Sequence, residues 1–300
     1  MSAKSLPPSS NLTQLKNQAK DLLKAHKVGD EAVCSRIREH FPKLKNASDE
    51  GILHSKFVLQ DAQLVIAREH QFKSWPELKT HINTEEFVNA CHDGNLDEAK
   101  RLLPEADING ENQHGQGALL SFHPEVTEFL LNNGADPNQQ KNEGGLPVLF
   151  GLCYVANHEC VKKLLAAGAN PNQPNKKTGE TVLHQAATSM STECVRLLLE
   201  AGGDPNARTN VGVPSGSFWR DVNVVGETPL HRAAAYGDEE MMRILVEAGA
   251  DPTIKDANGD SPLTWFSRHQ RDKEHIKVST SAMKYLAYGE FTQSLSWLDD

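Results

Sequence analysis

The chain has 300 residues, 38% of them hydrophobic and 6% aromatic, and its 31 Lys/Arg against 40 Asp/Glu give a net charge of −9. That length allows one long domain or two shorter ones, and the acidic balance argues against broad nucleic-acid binding. No apolar run approaches 18 residues, MSAKSLPPSS lacks a secretory apolar stretch, and Cys34, Cys91, Cys153, Cys160 and Cys194 lack CxxC spacing, so a soluble cytoplasmic chain with free thiols is expected.

Residues 1–10 read as a flexible N-terminus and residues 11–82 as a small helical leader domain. The segment up to residue 82 carries 13 Lys/Arg against 9 Asp/Glu, a local charge of +4. Leu15, Ala19, Leu22 and Leu23 line one face of a first helix, and Lys16, Lys20, Lys24 and Lys27 line another. A second helix is expected over 30–40, where Val33, Ile37 and Phe41 stand four apart, and DAQLVIAREH (61–70) reads as a third. Ser74-Trp-Pro-Glu77 has the spacing of a capping box and opens a short fourth helix through Leu78 and Ile82. The lysine stripe is read as a solvated helix face. The alternative, a nucleic-acid-associated regulator docking through this basic module, suffers from a recognition helix that offers only Lys79 and His81 and no Arg.

A repeat governs residues 83–300. The string Gly-Ala/Gly-Asp/Asn-Pro recurs at Gly134, Gly168, Gly202 and Gly249, at separations of 34, 34 and 47 residues. A second string occurs as LPVLFGL from Leu146, TVLHQAA from Thr181, TPLHRAA from Thr228 and SPLTWFS from Ser261. The 47-residue interval is a period of 33 carrying a 14-residue insertion, VGVPSGSFWRDVNV (211–224). Within a unit, Thr181 or Thr228 caps a short first helix, with Pro229 at its first position. A second helix with an apolar face follows, and Gly202 or Gly249 supplies its left-handed stop. His184 and His231, fourth in their strings, are expected to bond backbone and capping hydroxyl and so tie one unit to the next. Such units bury their faces only by stacking, which makes the fold an all-α repeat solenoid.

These strings resemble ankyrin repeats over roughly residues 84–289. Phe87–Asn109 is similar to an N-terminal cap, Ser261–Glu290 to a C-terminal cap, and the unit at Ala118–Asn138 has a first helix about one turn short. LTQLKNQAKDLLKAHKVGD and LQDAQLVIAREHQFKSWPELKTHI resemble a leader module that precedes ankyrin repeats in a group of bacterial proteins without an assigned activity.

No catalytic, metal-binding or cofactor-binding set assembles. His158 and Cys160 stand two apart on a helix and cannot face one another, and Cys160 and Cys194 read as packing residues. Asp256-Ala-Asn258-Gly-Asp260 has a calcium-loop flavour, but its glycine is misplaced and its twelfth position is Ser267, so it reads as a turn. HGQGALL (114–120) lacks the third glycine of a phosphate loop. The expected function is therefore a non-enzymatic, monomeric protein-interaction scaffold. The resemblance implies a concave binding face through Phe150, Cys153, Tyr154, Gln185, Thr188, Ser189, Arg232, Ala235 and Tyr236, among which Tyr154, Arg232 and Tyr236 are the expected anchors. Phe218, Trp219, Arg220 and Asp221 of the insertion are either further anchors beside that face or rings folded back to fill the groove.

Overall fold

In the computed structural model the described residues are 11–141, 146–214, 223–236 and 238–269. Residues 1–10, the insertion residues Phe218, Trp219, Arg220 and Asp221, and the latter part of the expected C-terminal cap lie outside them. The chain forms two compact units, one of residues up to Ala90 together with Asp97–Gln113, the other of Cys91–Leu96 and residues from His114 onward.

In the first unit, α1 (Leu12–Lys27) begins at Asn11, whose side chain accepts the Gln14 N–H at 2.8 Å, and ends in Lys24, His26 and Lys27. The cap satisfies an orphan donor and the basic last turn complements the helix dipole. Leu15, Ala19, Leu22 and His26 form its buried stripe, and the His26 ring donates from Nε2 to the Ile52 carbonyl at 2.8 Å. Around this stripe pack α2 (Cys34–His40), α3 (Asp49–Leu53) and α4 (Leu59–Glu69), closing a core that includes Ile37, Phe41, Ile52, Phe57, Val65 and Ile66. Helix α3 has five residues, too short for periodicity to register.

Helix α5 (Trp75–His92) differs from the short helix expected to end near Ile82. Between Glu77 and His92 the sequence has neither Gly nor Pro, so nothing stops propagation until Gly94, at φ +70°. Ser74 Oγ accepts the Glu77 N–H at 3.3 Å, while the Glu77 carboxylate reaches back to the Lys73 N–H at 2.8 Å, one residue beyond the usual capping-box partner.

After α6 (Leu96–Leu102), the second unit continues with paired helices. The second helices are α7 (Pro124–Asn132), α9 (His158–Ala166), α11 (Thr192–Glu200) and α13 (Glu239–Glu247). The first helices are α8 (Val148–Tyr154), α10 (Val182–Thr188), α12 (Pro229–Tyr236) and α14 (Pro262–His269), and a single 3-10 turn, Ala118–Leu120, stands in this position ahead of α7. Helices α8, α10, α12 and α14 pack in series, and α7, α9, α11 and α13 pack in a parallel series, giving two layers. Ala186, Ala187, Ala233, Ala234 and Ala235 are small enough to let the first layer close up, and Val161, Leu164, Val195, Leu198, Met241 and Leu245 bury the second.

Gly134, Gly168, Gly202 and Gly249 take φ values of +88°, +89°, +86° and +97° behind the second helices, the left-handed stop that favours glycine. The helix start in LPVLFGL is capped by Pro147 and not by Leu146, so this string runs one residue out of step with TVLHQAA, and Phe150 occupies the place of His184. Between units the chain turns as antiparallel ribbons. β1 (Gln140–Lys141) pairs with β2 (Leu146–Pro147), and β3 (Val211–Pro214) pairs with β4 (Asn223–Val225) in the register Val211–Val225, Val213–Val224, Pro214–Asn223, bulged at Gly212.

Candidate functional site

Both histidines of the repeated strings are buried and hold the same geometry. Nδ1 of His184 accepts the Thr181 N–H at 3.1 Å and lies 2.9 Å from Thr181 Oγ1; in His231 the Thr228 partners stand at the same distances. Because Nδ1 accepts a backbone N–H, the proton sits on Nε2, which donates at 3.1 Å to the Glu227 carbonyl from His184 and to the Asp260 carbonyl from His231. Each ring thus ties its own helix cap to the residue preceding the next cap. Protonating Nδ1 would set two donors against each other. Burial, reinforced by the charge of Arg232, pushes His184 down to about 3, and burial also lowers His231.

Arg232 is not on the surface. Its side chain is 0% exposed, between carboxylates of two units that are almost as inaccessible. Nη2 donates at 2.6 Å to Glu180 and at 2.6 Å to Glu227, and Nε donates to Glu227 at 3.2 Å. Thr178 Oγ1 donates to Glu180 and Thr209 Oγ1 to Glu227, each at 2.6 Å. Burial opposes the ionisation of Glu227, but Arg232 and the donors Thr209 and Val225 N–H prevail and hold its carboxyl at about 2. The expected anchor is therefore an internal clamp between units: its guanidinium is matched by acids that periodicity does not reveal as its partners. A sequence signal was present in the twin Gly-Glu-Thr triplets at Gly179 and Gly226.

A third device went unread in the sequence. In each Asp/Asn-Pro-Asn turn the asparagine clamps the following unit: Asn138 Nδ2 donates to the Gly168 carbonyl while its Oδ1 accepts the Asn170 N–H. Asn172 bridges Gly202 and Asp204 in the same way, and Asn206 bridges Gly249 and Asp251, with distances of 2.7–2.8 Å. The signal is the Asn that follows Pro137, Pro171 and Pro205.

Other members of the expected concave face turn inward: Phe150, Cys153, Gln185 and Ala235 are buried, and Thr188 and Ser189 are half-buried. Tyr154 is 71% exposed at the end of α8, and Tyr236 is half-buried, packed with Val225 against Ala235 and Trp265. A different set gathers at the turns joining first to second helices. Phe122 (45% exposed), Val155 (51%) and Met190 (57%) stand there beside Tyr154. Phe122, Ala156 and Met190 recur every 34 residues and share left-handed backbones, at φ 59°, 53° and 52°.

The residues that invited a chemical reading are engaged structurally. His158 Nε2 lies 3.1 Å from Ser191 Oγ, and Thr127 Oγ1 donates to the buried Cys160 sulfur. The Asp256 carboxylate accepts the N–H groups of Asn258 and Asp260 and the Trp265 indole at 2.8–2.9 Å, closing a turn. Among the described residues no group of three or more His, Cys, Asp or Glu is placed to hold a metal ion, and no helix is long and apolar enough to cross a membrane.

Comparison with sequence families matches residues 118–209 and 149–256 to Ankyrin repeats (3 copies), and residues 230–298 to Ankyrin repeats (many copies). Among curated proteins none matches the chain. The matches span 118–298, more than half of the sequence, and coincide with the two-layer stack, its capped first helices and its glycine stops. The chain belongs to the ankyrin-repeat family.

Proposed function

We propose that the ankyrin stack is a non-enzymatic scaffold that grips a protein partner along the row Phe122, Tyr154, Val155 and Met190, with the insertion residues Phe218, Trp219, Arg220 and Asp221 as a second group of anchors. Ankyrin repeats are generic protein-interaction modules, which sets the class of function. One observation supports the particular row. Phe122 and Met190 hold left-handed backbones that disfavour side chains by about 1–2 kcal/mol, where the corresponding turn after α5 uses Gly94. Their side chains nevertheless stay 45% and 57% exposed. Strain and exposure kept together at one repeated turn are what a binding surface requires and a packing surface would discard.

Photo-crosslinkers at positions 154 and 190 would identify the partner, whose affinity is then measured by calorimetry. Tyr154→Ser and Met190→Gly should each weaken binding at least ~10-fold, given about 1.5–3 kcal/mol for a fully buried large apolar side chain. The urea midpoint of Met190→Gly should hold or rise, because glycine relieves the left-handed strain. Trp219→Ala should likewise weaken binding with little change in the midpoint. Unchanged affinity in Tyr154→Ser and Met190→Gly would remove the row from the interface.

A further inference from the structure

Along the C-terminal half of α1 runs a shallow groove of about 440 Å³ lined by Lys20, Leu23, Lys24, Lys27 and Val28, with Leu59 at the start of α4 also in its lining. The four α1 positions and the C-cap Val28 are spaced i, i+3, i+4, i+7 and i+8, a stripe beside the buried one. Val28 is 74% exposed, and Val58 and Leu59 are 40% and 37% exposed, so apolar side chains gather here without a covering element among the described residues. Lys79 pairs with Glu105 and Lys163 with Glu128, but Lys20, Lys24 and Lys27 have no ion pair among the described residues. Among the described residues no carboxylate lines the groove.

We propose that this groove binds an acidic amphipathic helix of a protein partner. Apolar side chains one or two turns apart would rest on Leu23, Val28 and Leu59 and on the aliphatic lysine stems, while flanking Asp or Glu meet the three ammonium groups. Charge complementarity selects this occupant. Among the described residues the lining offers no Arg and no aromatic ring, the groups that recognise phosphates bidentately and stack bases, and its apolar floor would face a phosphate backbone. A bilayer is planar, whereas a groove receives a ridge. This surface lies in the first compact unit and does not depend on how the ankyrin stack is used.

The test is a displayed library of helical peptides selected on the full chain and counter-selected on its Lys20→Glu/Lys24→Glu/Val28→Ser variant, whose three changes are at exposed side chains; circular dichroism and urea unfolding verify its fold. Enriched peptides should combine apolar residues at i, i+3 or i+4, and i+7 with an excess of Asp and Glu. They should bind the variant at least ~10-fold more weakly, and should lose affinity between about 50 and about 500 mM NaCl. A Lys20→Arg/Lys24→Arg variant should retain binding. The proposal is overturned if no peptide separates the two proteins, or if the separating peptides carry no acidic excess. It is equally overturned if the variant loses binding to a short single-stranded DNA or to phosphatidylserine vesicles while peptide binding is unchanged.

Discussion

Replacing Arg232 with Met keeps most of the aliphatic volume and removes the guanidinium that bridges Glu180 and Glu227, whose side chains are 1% and 2% exposed. Both carboxylates lie 2.6 Å from the same nitrogen, so neither keeps its cation. Breaking a buried pair from one side costs about 3–5 kcal/mol, because the remaining charge is desolvated and unpaired. At a urea m-value of about 2 kcal/mol/M the midpoint should fall by about 2 M. Repeat stacks can unfold in parts, so hydrogen exchange in α10 and α12 serves as a second readout. The pH dependence distinguishes charge from packing. In the wild type Glu227 is depressed to about 2, so its stabilising contribution is complete above the ordinary carboxylate pKa and is lost only as pH falls toward 2. Without Arg232, burial is opposed only by the hydrogen bonds from Thr209 and Val225 N–H, so the Glu227 carboxyl takes up a proton more readily than in the wild type. The deficit is then full at neutral pH and relieved on acidification, so the gap to wild type should shrink by about 1–2 kcal/mol between pH 7 and pH 5. The neutral set Glu180→Gln/Arg232→Met/Glu227→Gln should recover to within about 1–2 kcal/mol of wild type. A gap below about 1 kcal/mol at pH 7, or one independent of pH, would refute the clamp.

The histidine staples carry their own pH dependence. With His184 lowered to about 3, the unfolded chain binds the proton first, so stability should fall as pH drops below 6.5, by about 2 kcal/mol at pH 5. His184→Gln should flatten that slope in urea unfolding followed by circular dichroism; an unaltered slope would assign the acid sensitivity elsewhere. The paired glycines separate strain from space. Gly202→Ala meets nothing within 4 Å and should cost about 1 kcal/mol for its backbone alone. Gly203→Ala would place its methyl 2.8 Å from the Leu198 carbonyl and should cost more, so equal unfolding midpoints for the two variants would count against this packing.

Short-range chemistry made the repeat legible: a capping Thr, an Ala-rich helix and a glycine stop lie within one unit and recur with it. What the sequence did not yield depends on partners far apart in the chain. Arg232 looks like a surface anchor until Glu180, 52 residues earlier, closes on it. Phe122 and Met190 give no sign by residue type that their backbones are left-handed. In LPVLFGL, Leu146 holds the string position of the capping threonines, while the helix starts after Pro147. Continuity through α5 was hidden by two motifs, a capping box and a repeat cap, each of which suggested its own helix.

The insertion shows how one added segment divides a repeated surface. At its base, Asn210 N–H donates to the Thr178 carbonyl at 2.7 Å, and Ala257 N–H donates to the Val225 carbonyl at 2.8 Å. Arg208 fastens the same base, donating from Nε to Gly226 O at 3.0 Å and from Nη2 to Lys255 O at 2.7 Å. The base of the ribbon therefore keeps backbone partners on both sides. Its returning strand buries Val224 and brings Val225 against Ala235, Trp265 and Tyr236. Tyr154, by contrast, stays in solvent. Tyr154 is the seventh residue of α8 and Tyr236 the eighth of α12, so the two tyrosines end equivalent first helices at different positions, Tyr154 at the place held in α12 by the buried Ala235. Of the pair, Tyr154 is the one free to meet a partner, and Tyr236 already contributes to packing.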